Sequence, residues 1–152
     1  MTAAPPETAG PTFTEPNEAE VRWMEGHLQF IAAQQVDLND SSQIGEFYER
    51  VLNSWLSDPE ESRTDPSDFI NLLGTAFGEC LVRQTSLRWV VASDELATEL
   101  AVHDDRSDLL VYPANAVAKR WTERQSGDFI PGMTQDIVMR LSQNQYAPPD
   151  HA

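Results

Sequence analysis

The chain has 152 residues and one cysteine, Cys80, so it is long enough to bury a core as one domain and has no route to an internal disulfide or a cysteine-built zinc site. Its formal charge of -15 is unevenly placed: the first 66 residues carry 13 acids against 3 bases, while the last 40 carry 4 of each. A surface of that sign repels phosphate backbones, which argues against nucleic acid; it would attract a basic protein or simply keep the molecule soluble, the second being the plainer explanation.

No window holds the apolar run of a membrane span, and the N-terminus lacks both the basic start and the apolar core of an export signal. The expectation is a cytoplasmic protein with no membrane contact. Residues 1–16 are rich in proline, alanine, threonine and glutamate with one aromatic, Phe13, and are expected to be a disordered leader. Residues 17–145 are read as a single domain and 146–152 as a loose tail.

Asn17 followed by Glu20 has the spacing of a capping box, and Val21, Met24, Leu28 and Ile31 continue at helical period, predicting a first helix to about Gln35. His27 lies among them and is read as a surface or hydrogen-bonded structural histidine. Residues 37–42 form a turn, after which Ile44, Phe47, Tyr48, Val51, Leu52 and Trp55 mark a second helix to about Leu56. So short a connection predicts an antiparallel pair. Residues 57–62 are expected to be a solvated acidic loop.

The stretch from Asp65 to Val91 runs a long apolar helix directly into a strand pattern. Asp65-Pro66-Ser67 supplies a helix start, and Phe69, Leu73, Ala76, Phe77 and Cys80 share a face that must be largely buried. Gly74 and Gly78 also share a face, a flat strip where another backbone can approach, at a helix-propensity cost of about 1 kcal/mol each. Strand patterns follow over residues 86–92, 96–103 and 109–112, joined by turns, and so predict a three-stranded antiparallel meander with one face on the central helix. Pro113 opens a short helix to Trp121 that carries the basic cluster Lys119, Arg120 and Arg124, and a last amphipathic helix runs from Pro131 to about Gln143. The fold class is α+β: two N-terminal helices, a central buried helix, the meander and C-terminal helices.

The run Leu73-Gly74-x-Ala76-Phe77-Gly78-Glu79-x-Leu81, then Trp89-Val90-Val91, Asp94, Pro113 and Ala118-Lys119-Arg120-Trp121, resembles a small bacterial family, the domain of unknown function DUF3806, over roughly residues 65–142. The resemblance implies a shared helix-plus-meander core and brings no activity or cofactor with it.

Four polar positions in that core are candidates for a role: Glu79, Asp94, Lys119 and Arg120. A carboxylate on a mostly apolar helix needs a partner, and Arg83 four residues on supplies a structural ion pair for Glu79; Lys119 or Arg120 reaching it across the fold is the alternative. Asp94 reads as a turn residue and Cys80 as a small core residue, too far from any helix N-terminus to be an activated thiol. His103 beside Asp104 and Asp105 is the nearest approach to a metal or proton-relay cluster, in an apparent turn. No phosphate loop, nucleophile elbow or HExxH motif is present, and no cofactor or metal is expected. The expectation is a non-enzymatic acidic module that binds another protein, with Trp23 and Trp121, and Trp55 beside them, as candidate anchors if exposed. A narrower version is an immunity or antitoxin-like protein that neutralises a basic partner. The rival is a small hydrolase or transferase using Glu79 with Lys119 or Arg120.

Overall fold

The computed structural model describes residues 10–145; the expectations of disorder over residues 1–9 and of a loose tail over 146–152 lie outside the described residues. Five α-helices accompany a four-stranded antiparallel sheet of order β1-β2-β3-β4, so the α+β class holds with one strand more than expected.

The extra strand is β1, Thr12–Thr14, which pairs antiparallel with β2, Arg88–Ser93. It corrects the reading of residues 10–16 as disordered leader. Three residues could not hold a conformation alone, but they dock on a preformed strand edge, and Phe13 stacks on His103 with ring centroids 4.1 Å apart. Phe13 packs with Val90, Ala92, Ala101, Leu110 and Tyr112 to form a small second core on the face of the sheet turned away from the helices.

Helix α1, Glu18–Ala33, begins with the expected reciprocal cap: Glu20 N–H donates to Asn17 Oδ1 and Asn17 N–H to Glu20 Oε1, both at 2.8 Å. Helix α2, Ser41–Ser57, is capped by Asp40, whose Oδ1 accepts from Ser42 and Gln43. The two do not form the expected antiparallel pair; α1 packs chiefly on α3, and α2 on α3 and α5. The cause is in the connection, where Gln35 takes a left-handed conformation (φ 62°) and Val36 and Leu38 enter the core as part of the packing. The acidic loop after α2 contains a single 3-10 turn, Glu60–Ser62. Arg63 ties it down by donating to the Leu56 and Asp58 carbonyls and lying over the Trp55 ring.

The central helix α3, Ser67–Gln84, is fully buried along Leu73, Ala76, Phe77, Cys80 and Leu81. Its glycine strip is occupied by the first turn of α4, Pro113–Thr122, and by one indole. A Cβ added at Gly74 would lie 2.7 Å from the Ala114 Cα, and one at Gly78 would clash with the Trp89 indole at Cη2. A second crossing of this kind, unforeseen in the sequence, brings the Gly45 and Gly127 backbones together: a Cβ at Gly45 would sit 2.6 Å from the Gly127 carbonyl oxygen.

Strand β3, Thr98–His103, pairs with β2 along its whole length, whereas β4, Leu110–Val111, pairs only with Val102 and His103. The second strand was expected to start at Leu96, but that residue is in the turn and 94% exposed. Trp89, Val102 and Val111 join the main core on the helix side of the sheet. Helix α5, Phe129–Gln145, closes the layer against α2 and α3.

Candidate functional site

Glu79 is committed. Arg83 Nε donates to its Oε2 at 2.9 Å and Trp89 Nε1 donates to its Oε1 at 3.1 Å, with the carboxylate side chain 17% exposed. This is the ion pair anticipated four residues along the helix, plus an indole contact that sequence spacing does not reveal. The bond pins Trp89, whose benzo edge already lies against Gly78.

Lys119 and Arg120 are in the last turn of α4, where the helix end favours cations. Lys119 is exposed and the Arg120 guanidinium lies 5.4 Å from the Phe129 centroid; neither reaches Glu79. Asp94 accepts from the Leu96 and Ala97 amides at 2.8 and 2.9 Å, the turn role expected of it, and these two bonds hold its carboxyl below the usual range.

Trp121 is not a surface anchor. It is 3% exposed and packs among Tyr48, Trp55 and Phe69, because α4 turns the Val117 and Trp121 stripe inward while Lys119 faces water. Trp55 is half-buried, its Nε1 donating to the Thr64 carbonyl. Trp23, in contrast, is 45% exposed. Its ring meets His27 edge-on with centroids 4.3 Å apart. Thr75 spends its hydroxyl proton on the Asn71 carbonyl, so it accepts from His27 Nδ1 at 2.9 Å, which fixes the Nδ1-protonated tautomer of the neutral ring. Burial lowers the His27 pKa, and Asp68 offsets part of that effect.

Cys80 is buried against Gln84 Nε2, and burial pushes its thiol up to about 11, so it is inert rather than nucleophilic. His103 is also buried. Its Nε2 is 2.8 Å from Asp108 Oδ1 and its Nδ1 faces Asp105 Oδ1 at 3.4 Å. Asp105 is simultaneously held by two nitrogens of Arg88, and Asp104 accepts from Ser86 and Ser107. These carboxylates are used up in fixing the β3–β4 turn, and among the described residues no group of three or more histidines, cysteines or carboxylates is placed to hold a metal ion.

One open hollow lies beside Trp23. Because β4 stops after two residues, the outer edge of β3 from Thr98 to Ala101 has no strand partner among the described residues. Pro113 ends the pairing and starts α4 at once, and the helix turns away into the gap left by Gly74. The resulting notch is a pocket of about 190 Å³ lined by Trp23, Trp89, Tyr112, Glu99, Asn71 and Asn115 among others. It continues through Trp23, Glu99 and Leu100 into a shallower groove of about 420 Å³ between the start of α1 and the sheet, where Glu20 and Val91 join the lining.

Among the described residues, neither hollow has a lysine or arginine in its lining. Glu99 accepts from Asn115 Nδ2 at 3.1 Å and forms no ion pair among the described residues. The Tyr112 hydroxyl registers the local charge: burial raises its pKa, and Asp94 and Glu99 raise it further. A further hollow, between α2 and Phe69, is lined by both Arg50 and Asp58 and so favours neither sign of charge.

Glu99, Tyr112 and Asn115 were not singled out in the sequence. In the sequence Glu99 is one polar residue of a strand pattern, and the early end of β4 is what gives it a cavity. Among the described residues no helix is long and apolar enough to cross a membrane.

Neither the curated proteins nor the solved structures contain a match to this chain. A family model does match, over residues 48–131, from the middle of α2 through α3, β2, β3, β4 and α4 to the start of α5. The match therefore takes in most of α2, which the sequence resemblance had placed outside its recognisable part, and it stops short of most of α5. It includes the glycine strip, Trp89, Glu99 and the Pro113 turn, while Trp23 and the rest of α1 lie outside it. On this match, over more than half of its length, the chain belongs to the family described as a domain of unknown function (DUF3806).

Proposed function

We propose that this chain is a non-enzymatic protein-binding module, bacterial and cytoplasmic, that docks a basic partner in the groove between α1 and the sheet. The observation that carries the reading is the lining: an exposed tryptophan and apolar strand residues flanked by Glu20 and Glu99, with no basic residue. Aromatic residues that are half-exposed in the free protein and become buried on contact carry a large share of binding energy. Carboxylates without cations of their own set the sign of the partner and accelerate its encounter. The overall charge of -15 acts in the same direction.

An immunity or antitoxin-like role, neutralising a basic protein, is the narrower form of this reading. A hydrolase or transferase built on Glu79 has less support, since both of its oxygens are engaged by Arg83 and Trp89. The test is capture of partners from the native host by the tagged chain, at low and high salt, beside the Trp23→Ala and Glu20→Gln variants. A basic protein retained by the wild type at low salt, lost at high salt and lost with Trp23→Ala is expected. Retention that ignores Trp23, or no basic protein at all, overturns the proposal.

A further inference from the structure

We infer that the inner pocket at the β3–α4 notch is a receptor for the guanidinium of an arginine side chain, presented by the basic partner. The inference rests on the reading of a basic protein partner and adds what that partner must carry.

Size comes first. Pockets for drug-sized ligands and cofactors usually run from roughly 300 to 1,000 Å³. A volume of about 190 Å³ is smaller than that. An apolar cavity of ~150 Å³ suffices for a benzene-sized guest. The notch therefore takes a flat group of about that size on a stem, and the groove leading out past Trp23 and Leu100 is a path for the chain that bears it.

Chemistry decides which flat group. Three aromatic side chains line the pocket, Trp23, Trp89 and Tyr112, and Trp89 is immobilised by its bond to Glu79 and its contact with Gly78. Ring surfaces attract cations, tryptophan most of all, and a planar guanidinium stacks on them better than an ammonium does. Glu99 supplies the counter-charge, half-buried and without a cation among the described residues. Asn115 uses its Nδ2 on Glu99, which leaves its Oδ1 as an acceptor, and Asn71 also lines the wall. A guanidinium has five N–H donors and needs several acceptors around it; a lysine ammonium is a compact point charge that would leave the ring faces poorly used.

The opposing consideration is the N-terminus of α4, which would favour an anion. That end is blunted. Pro113 has no N–H to offer, and the Ala114 nitrogen is pressed against Gly74. An anion entering the pocket would also meet Glu99.

The test uses the full chain labelled with ¹⁵N and three soluble probes: N-acetyl-arginine amide, N-acetyl-lysine amide and N-acetyl-citrulline amide, the last being planar but uncharged. Saturable shifts of the Trp23 and Trp89 indole N–H signals are expected with the arginine probe, weaker ones with lysine and none with citrulline, while buried Trp121 stays still. Glu99→Gln should weaken the arginine probe by about tenfold or more, the effect of losing a hydrogen bond to a charged group. Glu95→Gln, an equal change of charge at an exposed turn residue, should leave it unchanged.

Equal binding of citrulline and arginine, equal loss in the two glutamate variants, or no shift at Trp89 with any probe overturns the inference. The two readings fail separately. Partner capture that depends on Trp23 but survives Glu99→Gln removes the guanidinium site and keeps the docking groove; arginine-probe binding without any captured basic protein does the reverse.

Discussion

Replacing Gly74 by alanine tests whether α4 really rests on the backbone of α3, because the two terms in that substitution have opposite signs. In a helix interior, alanine is favoured over glycine by about 1 kcal/mol, since it restricts the unfolded chain more. At Gly26, in the exposed part of α1, nothing lies within 4 Å of the new Cβ, so Gly26→Ala should stabilise by about that amount. At Gly74 the same methyl would meet the Ala114 Cα at 2.7 Å and its amide nitrogen at 2.9 Å. Both are backbone atoms of a helix's first turn and have no rotamer to change, so α4 must back away. Overpacking of this kind costs about 1–3 kcal/mol, which offsets the propensity gain or exceeds it.

The difference between the two variants cancels the propensity term and isolates the clash. In urea unfolding, Gly26→Ala should lie above the wild type and Gly74→Ala below Gly26→Ala by about 1–3 kcal/mol. In a chain of this length that corresponds to roughly 2–12 °C in Tm, at about 2–4 °C per kcal/mol. If both variants were stabilised alike, the close contact of α3 with α4 would be refuted, and with it the origin of the notch.

Trp121 is buried with its Nε1 lacking a hydrogen-bond partner among the described residues, so the indole carries a desolvation cost that phenylalanine would not. Trp121→Ala should lose about 3–5 kcal/mol in urea unfolding. Trp121→Phe should lose less than half of what the alanine variant loses; equal losses would show that the indole N–H is satisfied after all. His27 has a folded pKa below its ordinary 6.5, so below about pH 6.5 the unfolded chain binds more protons there than the folded one, and stability rises with pH through that window. His27→Gln should flatten the rise in Tm between acid and neutral pH relative to the wild type, and an unchanged slope would assign it to other groups. Cys80, buried and with its thiol raised to about 11, should react with a thiol reagent only as fast as the protein opens, so labelling should accelerate with urea in step with unfolding. Fast labelling in native buffer would contradict that burial.

What the sequence made legible is what is written locally. The cap of α1 is in Asn17 and Glu20, that of α2 is in Asp40, and Pro113 both stops a strand and starts a helix. The buried stripe of α3 and the closeness required at its two glycines follow from spacing alone. What fills that closeness does not, because Ala114 and Trp89 reach the glycines through the tertiary path of the chain. Strand β1 was illegible for a related reason. Its residues are proline-flanked and too few to persist alone, and their partners, Val91 to Ser93 and the His103 ring, come almost eighty residues later or more. The antiparallel pairing of α1 and α2 failed because a short loop was read as a passive connector, whereas Val36 and Leu38 are themselves core residues. Trp121 misled because tryptophan beside a basic cluster has the composition of a contact surface, and only the orientation of α4 turns it inward.

Glu99 has a physical part in the fold as well as in the proposed recognition. An unpaired strand edge such as Thr98 to Ala101 is a template for adding another chain, and proteins blunt such edges with charge or by covering them. Here both devices are at work. The first turn of α4 covers the inner end, and the Glu99 carboxylate, fastened to Asn115, stands at the open part. A strand of ordinary apolar composition approaching that edge would bury Glu99 without a partner, at the cost of removing an unpaired carboxylate from water. A segment that brings a guanidinium satisfies the same carboxylate while it fills the notch. Under the proposed recognition one residue both rejects non-specific pairing and selects a charged visitor, a repulsive element and an attractive one at the same atom. The acidity of the groove and the shortness of β4 are thus connected: the edge that β4 leaves bare needs a guard, and in the proposed recognition that guard is also what the guanidinium meets.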